Sequence, residues 1–331
     1  MVPTIRDVAQ RAEVSISTVS RVLNKSASVD VAKRRRVEAA AAELGYTPNP
    51  AARSLLGQKS GGIGVVLPYI AGDFFQKFLE AIDKTTKESG HFLIVSSSHR
   101  SEKEFRAVIQ GMNHWVDGLI VMSTQDPADT VQPWIPEGLP ALFVNTEVRD
   151  DGIETVNFDN HGGAYQMTEH LIEQGHRRIG FIKGPDGAND GLDRLDGFRA
   201  ALRAHGLEPD PALEFEGDYT SDSGLAAVPA ILAADPRPEA VFAANDLSAY
   251  GVLIGLREAG VDVPGDIALA GFDDVLLSQL TVPALTTVHA PLFEMGQHVI
   301  ERLLRRIQGE PSAPSLLLPA EVVVRESTAG R

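Results

Sequence analysis

The sequence predicts a small all-α helix-turn-helix headpiece followed by a larger α/β core of doubly wound parallel sheets. Three observations predict it. Charge divides the chain: residues 1–60 hold ten Lys/Arg against five Asp/Glu, and residues 61–331 hold twenty against forty. Apolar residues recur at helical spacing through the first fifty residues. From residue 61 onward, short apolar runs alternate with amphipathic stretches, the pattern of βαβ units. A basic module fused to an acidic body points to a polyanion met at one end only. A length of 331 residues allows two or three domains. No window approaches eighteen consecutive apolar residues, so no membrane span is expected. The opening MVPTIRDVAQRAEV has no apolar export segment, and the expected location is the cytoplasm. Cysteine is absent, which removes disulfides, zinc–thiolate sites, iron–sulfur clusters and a cysteine nucleophile together.

The headpiece elements follow in order. Thr4-Ile5-Arg6-Asp7 is a helix start, a Thr N-cap with an acidic residue three positions on. Ile5, Val8, Ala9 and Ala12 then share one face, and Glu13-Val14 breaks the pattern. Ser15 caps a second short helix to Leu23, with Val19, Val22 and Leu23 inward. A third helix runs from an Asp30 cap to Leu44, ended by Gly45, and carries Lys33-Arg34-Arg35-Arg36 near its start.

The order Thr4-Ile5-Arg6-Asp7-Val8-Ala9, Val14-Ser15 and Thr18-Val19-Ser20-Arg21-Val22-Leu23-Asn24 resembles the DNA-binding headpiece of the LacI/GalR family of bacterial transcription regulators. So does Gly45-Tyr46-x-Pro48-Asn49-x-x-Ala52-Arg53-x-Leu55. The resemblance implies a recognition helix whose first residues meet base edges in the major groove. Those positions are Ile16 and Ser17, with Arg21 one turn on. Arg21 has the donor fork for guanine O6 and N7. Ser17 donates or accepts, and Ile16 can only pack on an apolar group. Thr4, Ser15, Thr18, Ser20 and Asn24 suit phosphate contacts, which position a helix without reading sequence.

Asn49-Pro50 is an N-cap and N1 pair for one and a half to two turns through Gly57. A helix that short is unstable alone in water. The resemblance implies a hinge helix that forms on the operator, paired with its symmetry mate in the minor groove. Asn49, Ala52 and Arg53 lie on it, and Leu55 takes the position of the family's intercalating leucine. The other reading is an ordinary interdomain linker.

In the core, Ile63–Leu67, Phe92–Ser96, Gly118–Met122 and Ala141–Val144 read as buried parallel strands, and a second series begins near Ile153. It continues with Ile179–Ile182, Ala240–Ala244 and Ile267–Ala270. Helices of the second series are expected about Gly162–Gln174, Gly191–His205, Ser221–Ala234 and Leu247–Ala259. Two series give two lobes. Resemblance to periplasmic sugar-binding proteins implies that the chain recrosses between them. The domain boundaries so expected are 1–48 for the headpiece, 49–60 for the hinge helix and linker, and 61–331 for a core that binds effector and dimerises. Within it, lobe 1 covers about 61–158 and 290–318, and lobe 2 about 159–289 and 319–331.

Ligands of open α/β sheets sit at the carboxyl ends of strands. The residues just past the strands are Tyr69, Phe74 and Phe75; Asn145; Asp193, Arg194 and Asp196; Tyr219; Asn245-Asp246; and Phe272-Asp273-Asp274. Aromatic faces with amides, carboxylates and one Arg suit the C–H faces and vicinal hydroxyls of a sugar. The resemblance carries an effector-binding role onto Arg194 in Arg194-Leu195-x-Gly197-Phe198, and onto Asp273 and Asn245. Tyr219, Phe74, Asn145 and Tyr69 complete the expected effector set. For Arg194 a structural salt bridge is the competing role, and for Phe75 a place in the core.

No phosphate loop, dinucleotide fingerprint, G-x-S-x-G or H-E-x-x-H is present, so neither enzyme activity, cofactor nor metal is expected. The expectation is a ligand-responsive repressor, dimeric on a pseudo-palindromic operator, with a sugar-like effector. A sugar-binding protein without DNA function is the alternative.

Overall fold

The computed structural model describes residues 3–23, 29–46, 59–70, 72–99, 101–149 and 152–329. It divides into two compact units, Met1–Gly61 and Gly62–Arg331. The expected hinge helix over 49–57, with Asn49, Ala52, Arg53 and Leu55, lies outside the described residues, as does Asn24.

The first unit is three helices: α1 (Ile5–Arg11), α2 (Ile16–Leu23) and α3 (Val31–Leu44). A capping box starts α1: Thr4 Oγ1 accepts from the Asp7 amide, and the Asp7 carboxylate accepts from the Thr4 amide at 2.7 Å. The chain then turns through Glu13 in the left-handed region, φ 54°. The Ser15 hydroxyl accepts from the Thr18 amide at 3.2 Å and so caps α2. Asp30 caps α3 through the Ala32 and Lys33 amides, and Gly45 ends it at φ 63°. The core is built of small side chains centred on Val8, Val19, Val22 and Val37.

The second unit is built on strands β1 (Gly62–Leu67), β2 (Phe92–Ser97), β3 (Gly118–Met122), β4 (Ala141–Val144), β5 (Thr155–Phe158), β6 (Ile179–Ile182), β7 (Glu214–Phe215), β8 (Ala240–Ala243), β9 (Ala268–Ala270), β10 (Thr287–His289), β11 (Leu316–Leu318) and β12 (Glu321–Val323). One sheet has the order β11-β5-β4-β3-β1-β2, with every pairing parallel. All residues of β1 and β3 are buried, which is why they read as unbroken apolar runs. The other sheet has the order β7-β6-β8-β9, again all parallel. β10 and β12 form a separate antiparallel ribbon.

The chain passes between the two sheet bodies three times. After β5, the helix Asn160–Glu173 packs against the helix Asn189–Ala204 of the second body. After β10, the helix Leu292–Ile307 packs against the helix Asp73–Glu88 of the first. β11 then joins the first sheet beside β5, and β12 returns to β10. Strands β7, β10 and β11, two or three residues each, leave no readable pattern in the sequence. Two helices begin earlier than their glycines suggest, at Asn160 and not Gly162, and at Asn189 and not Gly191. Asp159 Oδ1 accepts from the Gly162 amide at 2.7 Å, so the cap precedes the glycines. Those helices cross closely: a Cβ on Gly197 would lie 2.2 Å from the carbonyl oxygen of His161. Among the described residues no helix is long and apolar enough to cross a membrane.

Candidate functional site

Two places in the molecule carry recognition chemistry, one in each unit. On the headpiece, Ile16, Ser17 and Arg21 stand exposed along α2 while Val19 and Val22 face inward. Ile16 leaves 45% of its surface open. Thr4 is exposed at the start of α1, and Thr18 and Ser20 are half-buried. Ser15 Oγ also lies 2.8 Å from Ser17 Oγ and 2.9 Å from Thr18 Oγ1, a cluster of hydroxyls at the α2 N-terminus. An anion is favoured there by the free amides and the helix dipole.

In the core, the carboxyl ends of both sheets bring Asn145, Arg194, Tyr219 and Asp273 together. Arg194 is 2% exposed. Its Nε donates to Asn160 Oδ1 at 2.9 Å, and its Nη1 donates to the Ala244 carbonyl at 2.5 Å. Asp273 Oδ1 lies 3.2 Å from the same nitrogen, an ion pair. The guanidinium carbon stands 3.8 Å from the Phe272 ring centre. Asn160 Nδ2 in turn donates to Asn145 Oδ1 at 3.1 Å. Burial works against the Arg194 charge, and Asp273 outweighs it, so its pKa is raised. Burial lifts Asp273 to about 7 although Arg194 opposes the shift. Burial also raises the Tyr219 phenol, with Asp190 adding to the effect.

Backbone strain concentrates in the same place. Of the six described non-glycine residues with positive φ, four are Asn145 (44°), Tyr219 (71°), Asp273 (112°) and Asp274 (53°). Each such position costs on the order of 1–3 kcal/mol and persists only where the surroundings over-determine it. Asn145 Nδ2, Asn189 Nδ2, the Tyr219 hydroxyl and Asp273 Oδ1 are buried without a hydrogen-bond partner among the described residues. Asp273 Oδ1 keeps its ion pair with Arg194, while the unpaired amides of Asn145 and Asn189 border a hollow, where a polar ligand would complete them. The hollow holds about 240 Å³ and is lined by Asn145, Phe158, Asn160, Asn189, Asp190 and Asp193, among others. A second hollow, near Pro68, Ser98 and Ser123, holds only about 20 Å³, room for about one water.

Of the expected effector residues only Asn145 lines this hollow; Arg194, Tyr219 and Asp273 are not among its lining residues. Both amide ends of Asn245 are engaged: Oδ1 caps Ser248 and Nδ2 donates to the Tyr219 carbonyl. Phe74 and Phe75 are half-buried and meet edge-on, 5.2 Å apart, and Phe74 reaches towards Phe158 at 6.5 Å. Tyr69 is 38% exposed beyond β1. Asp246 is a buried tie, accepting from the Val275 amide and Thr287 Oγ1. Asp274 holds Arg325 and His289. Asn160, Asn189 and Asp190 escaped the sequence reading. The rule of looking past each strand end would have reached Asn160 had β5 been bounded at Phe158.

Residues 4–49 match the model of the bacterial regulatory proteins, lacI family, and residues 168–328 match a periplasmic binding protein-like domain. The HTH-type transcriptional repressor CytR of Escherichia coli K12 is 33% identical over 98% of this chain and 96% of its own length. The HTH-type transcriptional regulator CelR of Thermobifida fusca is 35% identical over 98% of both chains. The chain belongs to the lacI family. Among solved members, the lac repressor dimer bound to operator and the anti-inducer ONPF superposes with a TM-score of 0.88 at 32% identity, over 99% of each chain. A CelR–cellobiose complex superposes with a TM-score of 0.75 at 35% identity, over 98% of this chain and 99% of the other. These family members are transcriptional regulators, and this chain is one of them.

Proposed function

We propose that this chain is a repressor that binds a pseudo-palindromic operator as a dimer and releases or tightens it in response to a small carbohydrate-like effector held between the two sheet bodies. In this reading residues 1–48 are the headpiece, 49–60 the hinge helix and linker, and 61–331 the effector-binding and dimerising core. Arg21 reads a guanine, Ser17 and Ile16 contact neighbouring base edges, and Thr4, Ser15, Thr18, Ser20 and Asn24 contact phosphate. Asn49, Ala52, Arg53 and Leu55 enter the minor groove. The observation that carries the reading is the pairing, in one chain, of an exposed reading face on α2 with a strained, partly unsatisfied polar hollow in the core. The cellobiose bound by CelR and the operator bound by the lac repressor support it.

Effector residues are proposed as Asn145, Arg194, Tyr219 and Asp273, with Phe74 and Tyr69 as apolar walls and Asn245 supporting Tyr219. The chain carries no catalytic role and works in the cytoplasm. A ligand changes operator affinity only by binding two lobe arrangements unequally. The test is operator selection from random duplex, followed by a salt titration and a thermal-shift screen of sugars. A steep inverse dependence of affinity on salt, and a melting shift with at least one sugar, are expected. Indifference to every duplex in dilute buffer overturns the DNA reading.

A further inference from the structure

The hydrogen-bond chain behind the hollow has a fixed polarity. A guanidinium only donates. Arg194 Nε therefore makes Asn160 Oδ1 an acceptor, which leaves Asn160 Nδ2 to donate into Asn145 Oδ1. Asn145 is 6% exposed and lines the hollow, and its Nδ2 finds no acceptor among the described residues. The Asn145 wall thus offers a ligand one donor.

The wall contributed by the helix Asn189–Ala204 is acidic. Asp190 is buried, and Asp193 stands at the open rim. Glu147 and Asp159 also line the hollow beside His161, and Glu147 is paired with the exposed Arg149 at 2.9 Å. No Lys or Arg lines it among the described residues, and the charge of Arg194 behind it is balanced by Asp273. Burial raises Asp193 to about 6, with Asp190, Glu147 and Asp196 adding to the shift and His161 opposing it. A carboxylate held back from ionising by burial and by neighbouring acids is a poor neighbour for an anion.

We infer that the ligand of this hollow is a polyhydroxylated molecule without phosphate or carboxylate groups: it accepts from Asn145 Nδ2, donates hydroxyls to Asp190 and Asp193, and the carboxylate wall rejects anionic sugars. The inference rests on the reading of the hollow as the effector site and narrows the chemistry of its ligand. Hydroxyls satisfy both walls because each donates and accepts. A phosphate offers only acceptors to a wall that already has too many.

The test has a ligand arm and a ligand-free arm, both on the full chain. In the first, melting is followed with D-glucose, cellobiose, glucose 6-phosphate, gluconate and inorganic phosphate. Shifts confined to the uncharged sugars are expected; a shift with glucose 6-phosphate, gluconate or phosphate at least equal to that with its uncharged counterpart overturns the inference. In the second, Asn145→Asp is melted without ligand. Its Oδ1 bond to Asn160 survives, but a carboxylate oxygen now replaces the unpaired Nδ2 in an acidic hollow, so the melting temperature falls at pH 8 and recovers most of the loss at pH 5, where the new carboxyl is protonated. A fall that is equal at pH 5 and pH 8 is not a charge effect; it means that an internal bond of Nδ2 was broken, and the deduced polarity is wrong. Where an uncharged sugar binds, Asn145→Asp weakens it about tenfold or more; undiminished binding also overturns the inference. If no sugar shifts the melting, the effector reading fails on its own, and the pH dependence of the Asn145→Asp melting still decides the polarity.

Discussion

The two units solve recognition in opposite ways. The headpiece places its reading groups in the open: Arg21, Ser17 and Ile16 are exposed on α2, and the fold beneath them is a small Val and Ala core. The core unit hides its reading groups. Arg194 is 2% and Asp273 5% exposed, and they are held by contacts that span 34 to 79 positions in sequence. An exposed reader is free to adapt to a partner that supplies its own charge. A buried one must be set in place before the ligand arrives, because an unpaired group there is costly. Substitutions of the exposed readers on α2 should therefore alter binding and spare stability, and substitutions of the buried readers in the core should cost both binding and stability.

The largest effect expected is on Arg21→Ala. Losing a bidentate guanine contact is worth about 1–3 kcal/mol per half-site, so a dimer loses on the order of 10²- to 10⁴-fold in preference for operator over random duplex. Competition binding at fixed salt measures it. Thermal unfolding of the core should not move, and a shift there would show that the two units are not energetically separate.

Arg194→Met takes the other side of the comparison. It leaves the Asp273 carboxylate buried opposite an apolar side chain, a loss of about 3–5 kcal/mol and a melting fall on the order of 10 °C. The loss should be smaller at pH 5.5 than at pH 8. Burial already lifts Asp273 to about 7 with Arg194 present. Without the cation the carboxyl is protonated further up the scale, and a neutral acid tolerates burial. Equal destabilisation at both pH values would mean that the ion pair matters only for packing.

The same contrast governs what the sequence discloses. The headpiece is legible because its determinants are local. A cap, a helical period and a glycine stop each operate over three or four residues, and Asp30 and Gly45 take the ends assigned to them. The buried strands β1 and β3 are legible because a covered parallel strand must be apolar throughout. The hollow is legible only at its strand ends. Asn160 bonds Asn145 fifteen residues back and Arg194 thirty-four residues on, and no short-range pattern registers such a link. β7, β10 and β11 are set by pairing partners elsewhere in the chain. Tertiary context fixes them, and two or three residues carry no period.

A smaller effect sharpens the comparison within the headpiece. Thr4→Ala removes the hydroxyl that caps α1 and should cost about 1 kcal/mol of headpiece stability. Operator affinity then falls a fewfold while base preference is kept, since Arg21 remains on α2. Far-ultraviolet melting of the isolated transition and competition binding together separate this outcome from a change in readout.

The smallest effect expected lies at the crossing between the sheet bodies. His289 Nδ1 stands 3.0 Å from Asp274 Oδ2, Arg325 holds the other oxygen at 2.5 Å, and Lys77 donates to the Asp274 carbonyl. Burial alone would raise Asp274, yet the bonds from His289 and Arg325 outweigh it and bring it down to about 2. The bond to Asp274 raises His289 above its ordinary 6.5, with Glu294 adding and burial and Lys77 opposing. The stability His289 contributes is thus complete below pH 6.5 and is lost as pH rises through its folded value; that of Asp274 is present above 3.8 and lost towards pH 2. Asp193 and Asp273, raised to about 6 and about 7, also lose stability as pH climbs, so the parent curve falls for more than one reason. His289→Gln keeps a neutral partner for Asp274 and removes only the histidine limb. Between pH 6 and pH 8.5 the parent should lose about 0.5–1 kcal/mol more than the variant, the scale of a partly exposed pair. Parallel curves would place the His289 charge outside the balance that joins the two bodies, and would leave Arg325 and Lys77 as the groups holding Asp274.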